Sequence, residues 1–123
     1  MRLLLIGLGG FVGTLGRYWL AQLIAERYGE NFPYGTLAVN ALGCFVIGVL
    51  FYLFNDRGLA APASRAVVFI GLLGGFTTFS SYGLQTFTLV RDGELLVALA
   101  NIAASNVLCL TLVWVGYALA KLF

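Results

Sequence analysis

The sequence predicts an all-α integral membrane protein with four transmembrane helices. Of its 123 residues, 61% are hydrophobic and 10% are charged, and a soluble domain of this size could not bury so much apolar surface. The apolar residues form four runs, each close to the roughly 20 residues that span a bilayer. These runs cover about residues 3–25, 36–54, 66–90 and 95–120. The segments between them are short, so residues 1–123 are expected to form a single transmembrane domain surrounded by lipid.

The first span begins with Arg2 and an apolar run, like a signal peptide, but no A-x-A cleavage pattern follows, so we treat it as mature structure. Gly9 and Gly13 form a small-residue stripe that would let two helices approach closely, either between chains or within one chain. Arg17 continues that stripe and is the one charge inside a span. Its side chain can snorkel toward an interface or face a vestibule that concentrates anions, and the two interpretations are compatible.

The second and fourth spans carry polar residues at helical spacing. Thr36 and Asn40 lie one turn apart on the second, and Asn101, Ser105 and Cys109 follow one another at i, i+4 on the fourth. Polar groups inside a membrane are costly unless paired, which makes each a candidate for a functional site. Taken singly, they also fit hydrogen bonds between helices, whereas the aligned set favours a path through the bilayer.

The third span has a centre unlike that of a plain spanning helix. Gly74 and Gly75 weaken the helical backbone, and hydroxyl residues follow closely, so residues 74–80 are predicted to interrupt the helix. Backbone left unpaired in lipid must be buried in protein or line a wet cavity, and transport proteins place ion sites at such breaks. The alternative is a continuous helix whose small residues pack closely against a neighbour.

No Asp or Glu lies within any of the four predicted spans. Cation and proton pathways usually carry an intramembrane carboxylate, whereas amides, hydroxyls, a guanidinium and aromatic ring edges suit a small anion. Two alternative functions fit these residues less well. A proton-coupled small multidrug exporter needs a carboxylate inside a span, and this chain has none. A non-transporting scaffold protein would not explain an interior lined with hydrogen-bond donors. Cys44 and Cys109 are interpreted as small core residues, without a disulfide or a metal site.

The charges between the spans predict orientation only weakly. With four spans, one side of the membrane holds the N-terminus, the second loop and the C-terminus, and its basic residues are Arg2, Arg57, Arg65 and Lys121. The other side holds Arg27 and Arg91, and also Arg17 if its side chain snorkels that way. Such a bias fits insertion in both orientations, and hence an antiparallel homodimer, as well as it fits an ordinary protein with its N-terminus inside. The net charge of +2 is too small and scattered to indicate nucleic acid.

Three motifs resemble those of one known family. They are Gly-Gly-Phe-Val-Gly-Thr-Leu-Gly-Arg-Tyr at 9–18, Gly-Thr-Leu-Ala-Val-Asn at 35–40 and Gly-Gly-Phe-Thr-Thr-Phe-Ser at 74–80. In this order they resemble the CrcB, or Fluc, fluoride channel family, and the resemblance covers essentially the whole chain. It implies an antiparallel, dual-topology homodimer with two pores in the bacterial inner membrane. It also implies passive, fluoride-selective efflux that relieves fluoride toxicity.

The resemblance further implies roles for individual residues. A structural sodium ion, bound but not transported, would be held at the dimer centre by the backbone carbonyls of Gly74 and Thr77. Asn40 matches the family's pore asparagine. Phe79 and Tyr82 match a phenylalanine pair whose ring edges face fluoride, and tyrosine at the second position departs from the pattern.

The remaining assignments concern the polar track and the vestibule. The track falls on Asn101, Ser105 and Cys109, where the first and last residues depart from the tyrosine and serine of some members. Thr36 is counted with the pore, and Arg17 matches the arginine of the first helix. The Tyr82 hydroxyl is predicted to have a fixed partner such as Asn101 or Ser105, because a buried hydroxyl needs a partner when the pore is empty.

Overall fold

The computed structural model describes all 123 residues and contains helices and no β-strand. Four segments are long and apolar enough to cross a membrane, which confirms the predicted all-α class and the four spans. Helix α1 is Arg2–Tyr28, and α2 is Tyr34–Asp56. The third segment, Pro62–Arg91, divides into α3 (62–76) and α4 (Phe79–Arg91). Helix α5 is Leu95–Ala120.

The connections use residues that stop or start helices. Helix α1 ends at Gly29, whose φ of 81° is accessible mainly to glycine, and Pro33 immediately precedes α2. Helix α3 starts at Pro62, ahead of the apolar run, because proline suits the first helical position. Gly93, with a φ of 84°, permits the tight turn that folds α5 back along α4. These short connections place consecutive helices side by side.

Residues 77 and 78 separate α3 from α4. Both have extended backbones, with φ and ψ of −85° and 157° at Thr77 and −151° and 118° at Thr78. The Thr77 N–H still donates to the Leu73 carbonyl at 2.9 Å, but the ladder of helical hydrogen bonds goes no further. The carbonyls at the end of α3 and the amides at the start of α4 therefore need other partners.

Two stretches, Tyr52–Asp56 and Val67–Leu73, are π-helical, which the apolar pattern did not predict. The wider π turn of Val67–Leu73 is separated from the break by three residues and packs against α1. Segments of this kind are uncommon and are frequent at functional sites.

Small residues bring the backbone of α1 against that of α3 within the chain. A Cβ added at Gly9 would lie 2.9 Å from the Val67 carbonyl oxygen, and one at Gly75 would lie 2.6 Å from the Gly10 carbonyl oxygen. Gly13 is buried, and a Cβ there would overlap the Leu72 carbonyl. The stripe on the first helix thus serves packing within one chain, which was one of the two interpretations left open by the sequence.

Helices α2 and α5 pack closely along one another and run parallel. Gly48 meets the backbone of Val113, where a Cβ would overlap the carbonyl oxygen. One turn further along both helices, the rings of Tyr52 and Tyr117 meet edge to face with centroids 5.7 Å apart. Residues spaced by four on α2 therefore face residues spaced by four on α5, and this register extends back toward the polar residues of both helices.

Candidate functional site

A cavity of about 330 Å³ opens beside the break between α3 and α4. Residues from α2, both halves of the third span and α5 line it, and no charged side chain is among them. Its polar and aromatic members are Asn40, Cys44, Phe69, Thr77, Thr78, Phe79, Tyr82, Ser105, Asn106 and Cys109. The cavity thus combines hydrogen-bond donors and ring edges with an apolar wall and contains no acid.

The side chain of Asn40 holds the extended backbone at the break. Its Oδ1 accepts a hydrogen bond from the Thr78 N–H at 2.8 Å, and its Nδ2 donates to the Thr78 carbonyl at 2.9 Å. A planar amide supplies one acceptor and two donors, so it can pair with both backbone groups of one extended residue as a neighbouring strand would. One Nδ2 hydrogen remains, and the side chain lines the cavity, so the same amide can donate to a solute there.

Threonine side chains complete the break. The Thr77 hydroxyl donates back to the Leu73 carbonyl at 2.9 Å, and its methyl group fills the space that Gly43 leaves on α2. The Thr78 Oγ1 accepts from the Ser81 N–H at 3.2 Å and so caps the start of α4. The same hydroxyl donates to the Ser81 hydroxyl at 3.1 Å. Local hydrogen bonding thus fixes where α4 begins.

The guanidinium of Arg17 lies at the break, where its Nε donates to the Gly75 carbonyl at 3.1 Å. Arg17 is not among the residues that line the cavity at the break. The sequence offered an interface or a vestibule as its position, and the structure instead places it as a partner for a carbonyl at the end of α3. A cation at a helix C-terminus is favoured by the partial negative charge of the unpaired carbonyls.

Phe79 and Tyr82 stand on one face of α4, with ring centroids 5.3 Å apart and planes inclined by 51°. The partner of the Tyr82 hydroxyl is Asn106, whose Nδ2 donates to it at 3.3 Å. The expected partners, Asn101 and Ser105, were therefore wrong. Helices α4 and α5 are antiparallel around the turn at Gly93, and counting outward from that turn places Tyr82 opposite residue 104, so the count alone does not single out Asn106 from its neighbours.

Asn101 lies outside the cavity and is almost fully buried, with 1% of its surface exposed. Its Nδ2 donates to the Thr86 hydroxyl at 2.9 Å, and its Oδ1 accepts from the Ser105 hydroxyl at 3.3 Å. It therefore connects α4 to α5 one turn away from the cavity. Ser105 itself lines the cavity, as does Cys109.

Thr36 is also buried and lines a second cavity, of about 470 Å³, at the far end of α4. Gln85, which also lines it, has a buried Oε1 without a hydrogen-bond partner. The predicted residues therefore divide into two groups. Those that line the cavity at the break are Asn40, Phe79, Tyr82, Ser105, Cys109, Gly74 and Thr77, and those that do not are Thr36, Asn101 and Arg17.

Comparison with known proteins decides the family. The family model described as "CrcB-like protein, Camphor Resistance (CrcB)" matches residues 4–117. The chain belongs to this family. A protein from Opitutus terrae named "Fluoride-specific ion channel FluC" is 49% identical over 116 residues, which cover 93% of this chain and 88% of the relative.

Further relatives with the same name extend the match to nearly the whole length. One from Geobacter sp. strain M21 is 46% identical and covers 98% of this chain and 97% of its own. Another, from Magnetococcus marinus, is 39% identical over 99% of both chains. These proteins are named as channels rather than as enzymes, and the resemblance found in the sequence motifs is thereby confirmed at the level of the family.

Proposed function

We propose that this chain forms a fluoride-selective channel that lets fluoride leave the cytoplasm passively across the bacterial inner membrane. The observation that carries the proposal is the acid-free, donor-lined cavity at the helix break, in a chain whose relatives are named fluoride-specific ion channels. A carboxylate in that cavity would repel a small anion, and none is present among the lining residues. Efflux of this kind would relieve fluoride toxicity.

Fluoride is small and strongly hydrated, so a path for it must replace water with donors. Asn40 keeps one Nδ2 hydrogen free for the cavity, and the Tyr82 hydroxyl, which accepts from Asn106, can turn its own hydrogen toward it. The Ser105 hydroxyl already donates to Asn101, and Asn106 donates to both Tyr82 and Ile102, so a passing ion would have to displace those hydrogen bonds. The electropositive ring edges of Phe79 and Tyr82 add weaker contacts that a larger, softer halide would use less well. Close spacing of several weak donors lets an ion bind well enough to enter and loosely enough to leave.

The helix break adds an electrostatic contribution. Helix α4 begins at Phe79, and the start of a helix carries unpaired N–H groups and a partial positive charge. The half-helix α4 therefore directs its positive end at the cavity, which favours an anion there. The opposing partial negative charge at the end of α3 is partly compensated by Arg17 on the Gly75 carbonyl.

The proposed assembly is an antiparallel, dual-topology homodimer with two pores. Phe79 has 81% of its surface exposed in the single chain, although its ring is proposed to face an ion path. Large apolar side chains on every helix are exposed as well, so a single chain does not enclose the path. A second copy packed against this face would complete the wall, and lipid would cover the rest.

The proposal includes a structural sodium ion at the centre of the dimer, bound by the carbonyls of Gly74 and Thr77. The chemistry of the break fits this ion, because hard cations prefer oxygen ligands and extended residues 77 and 78 release nearby carbonyls from the helical ladder. No side chain donates to either carbonyl, and no backbone hydrogen bond outside the helices ends on one. Two copies around the dimer axis would supply four such oxygens.

An assay of purified protein in liposomes tests this function. Vesicles loaded with potassium fluoride should release fluoride when valinomycin lets potassium follow, at a rate far above that of protein-free vesicles. The multidrug-exporter alternative requires a carboxylate that the cavity lacks, so an imposed proton gradient should not drive a cationic dye out of the same vesicles. Dye transport without fluoride release would overturn the proposal.

A further inference from the structure

Two cysteine side chains, one on α2 and one on α5, line the cavity beside the break. They are Cys44 and Cys109, and neither is in a disulfide. The register of the parallel helices pairs them, because Gly48 meets Val113 one turn further on. The pairs Gly48–Val113 and Tyr52–Tyr117, one and two turns further along, therefore place Cys44 and Cys109 at the same level of the two helices. The sequence was interpreted as giving two unrelated core cysteines, and the register changes that interpretation.

We infer that Cys44 and Cys109 form a binding site for a soft, two-coordinate metal ion, and that an ion bound there closes the cavity to anions. The closure, though not the metal binding, rests on the proposed function. Thiol sulfur is a soft ligand that selects soft cations. No group of three or more Cys, His, Asp or Glu side chains lies together anywhere in the chain, so a four-coordinate zinc site cannot form within it.

The charge balance also favours a two-coordinate ion. With a divalent soft cation such as Hg²⁺, the two S–H groups release two protons and two metal–sulfur bonds form, with no oxidation or reduction. The product, sulfur–mercury–sulfur, is neutral, so the low-dielectric wall of the cavity does not have to hold a net charge. A single thiol would leave the ion charged or still bound to a ligand from solution.

The position explains the closure. In the helix register the layer before Cys44 and Cys109 holds Asn40 and Ser105, and Asn40 is a donor of the proposed path. A metal ion between the thiols occupies space in a cavity of only about 330 Å³ next to that donor. It also joins α2 to α5 at this level, so the side chains cannot move aside for a passing ion.

The test uses the reconstituted protein, Hg²⁺ as the probe and the variants Cys44→Ser, Cys109→Ser and their combination. Each fluoride flux is expressed relative to the same variant before metal is added. Half-inhibition of the unsubstituted protein should require at least tenfold less Hg²⁺ than in either single variant, because the second thiol binds at a high effective concentration. Inhibition should persist after a monothiol wash and reverse with dithiothreitol, whereas a monothiol should restore each single variant. After Hg²⁺ is added, the double variant should keep the fluoride flux that it had before the addition.

Intact-protein mass spectrometry supplies a readout that does not depend on transport. One mercury per chain, with loss of two protons and of both titratable thiols, is expected for the unsubstituted protein. Equal Hg²⁺ sensitivity in the unsubstituted protein and both single variants, or mercury bound through one thiol only, would overturn the site. Two-thiol binding with undiminished fluoride flux would overturn the closure. Two-thiol binding in a protein that carries no fluoride would leave the site standing and refute the proposed function instead.

Discussion

Replacing Asn40 by aspartate changes both the charge of the cavity and the support of the helix break. In the unsubstituted chain the Thr78 N–H donates to the Asn40 Oδ1 at 2.8 Å, and an aspartate carboxylate retains an oxygen that can accept this bond. It loses the N–H that donates to the Thr78 carbonyl at 2.9 Å and sets an oxygen against that carbonyl instead. We expect Asn40→Asp to abolish fluoride flux.

The magnitude follows from two contributions. A polar backbone group left without a partner costs about 1–3 kcal/mol, and the lower end applies here because Asn40 is only partly buried. A carboxylate about 4 Å from a passing anion adds a repulsion of about 4 kcal/mol at an effective dielectric constant of 20. That repulsion alone corresponds to roughly a thousandfold reduction in the rate of fluoride passage.

Two further variants separate the contributions. Asn40→Ala removes both hydrogen bonds to Thr78 without adding charge, so it should lower the free energy of unfolding of the detergent-purified protein by about 2 kcal/mol and reduce flux. Asn106→Asp puts a carboxylate in the same cavity while the contact between Asn40 and Thr78 stays intact. It gives up only the exposed hydrogen bonds that Asn106 donates to Tyr82 and Ile102, so it should stop flux with a smaller loss of stability than Asn40→Ala. The assay is fluoride-electrode recording of efflux from proteoliposomes, with dimer content checked by size exclusion. An Asn40→Asp protein that dimerises and conducts at the normal rate would refute the reasoning.

Four other expectations follow from the structure and the proposed assembly. Tyr82→Phe should keep fluoride flux within about tenfold of the unsubstituted rate, or about 1.4 kcal/mol, whereas Tyr82→Ile should lose far more because the ring edge is gone; equal flux in Tyr82→Ile would show that the ring does not face the ion. Exchange of sodium for a large organic cation should lower flux or dimer stability, and no change in either would count against the carbonyl site at Gly74 and Thr77. A reporter fused to the C-terminus should appear on both sides of the membrane, and two lysines added between α2 and α3 should shift it to the cytoplasm; a reporter on one side only would exclude dual topology. Gly48→Ala should lower thermal stability because its Cβ would overlap the backbone of α5, whereas Gly7→Ala, with nothing within 4 Å, is the matched control.

The four spans could be predicted because the bilayer imposes one length on every apolar helix. The sequence also indicated which residues are unusual within those spans, since polar side chains in lipid require a partner. It could not indicate which partner each one takes. Asn40 contacts the backbone of Thr78, and backbone geometry at the break depends on how α2, α3 and α4 pack together.

Arg17 and Asn101 illustrate the same limit. Sequence spacing placed Arg17 in line with the glycines of the first span and Asn101 in the polar track of the fourth. In the structure Arg17 instead donates to the Gly75 carbonyl, and Asn101 connects α5 to Thr86. These contacts depend on which way each helix is rotated, and a helix that is apolar on nearly every face gives little signal of its rotation. The π-helical turns were equally invisible, because one extra residue in a turn leaves no mark in an apolar run.

The central claim is that this chain conducts fluoride selectively and passively, and one flux experiment tests it most directly. Proteoliposomes are loaded with equal concentrations of potassium fluoride and potassium chloride, together with a cationic dye, and efflux of each is followed after valinomycin is added. If the chain conducts fluoride selectively and passively, the vesicles should lose fluoride rapidly and retain chloride and dye, and the rate of fluoride loss should not depend on a proton gradient. Chloride leaving as fast as fluoride, or fluoride retained by correctly assembled protein, would contradict that claim.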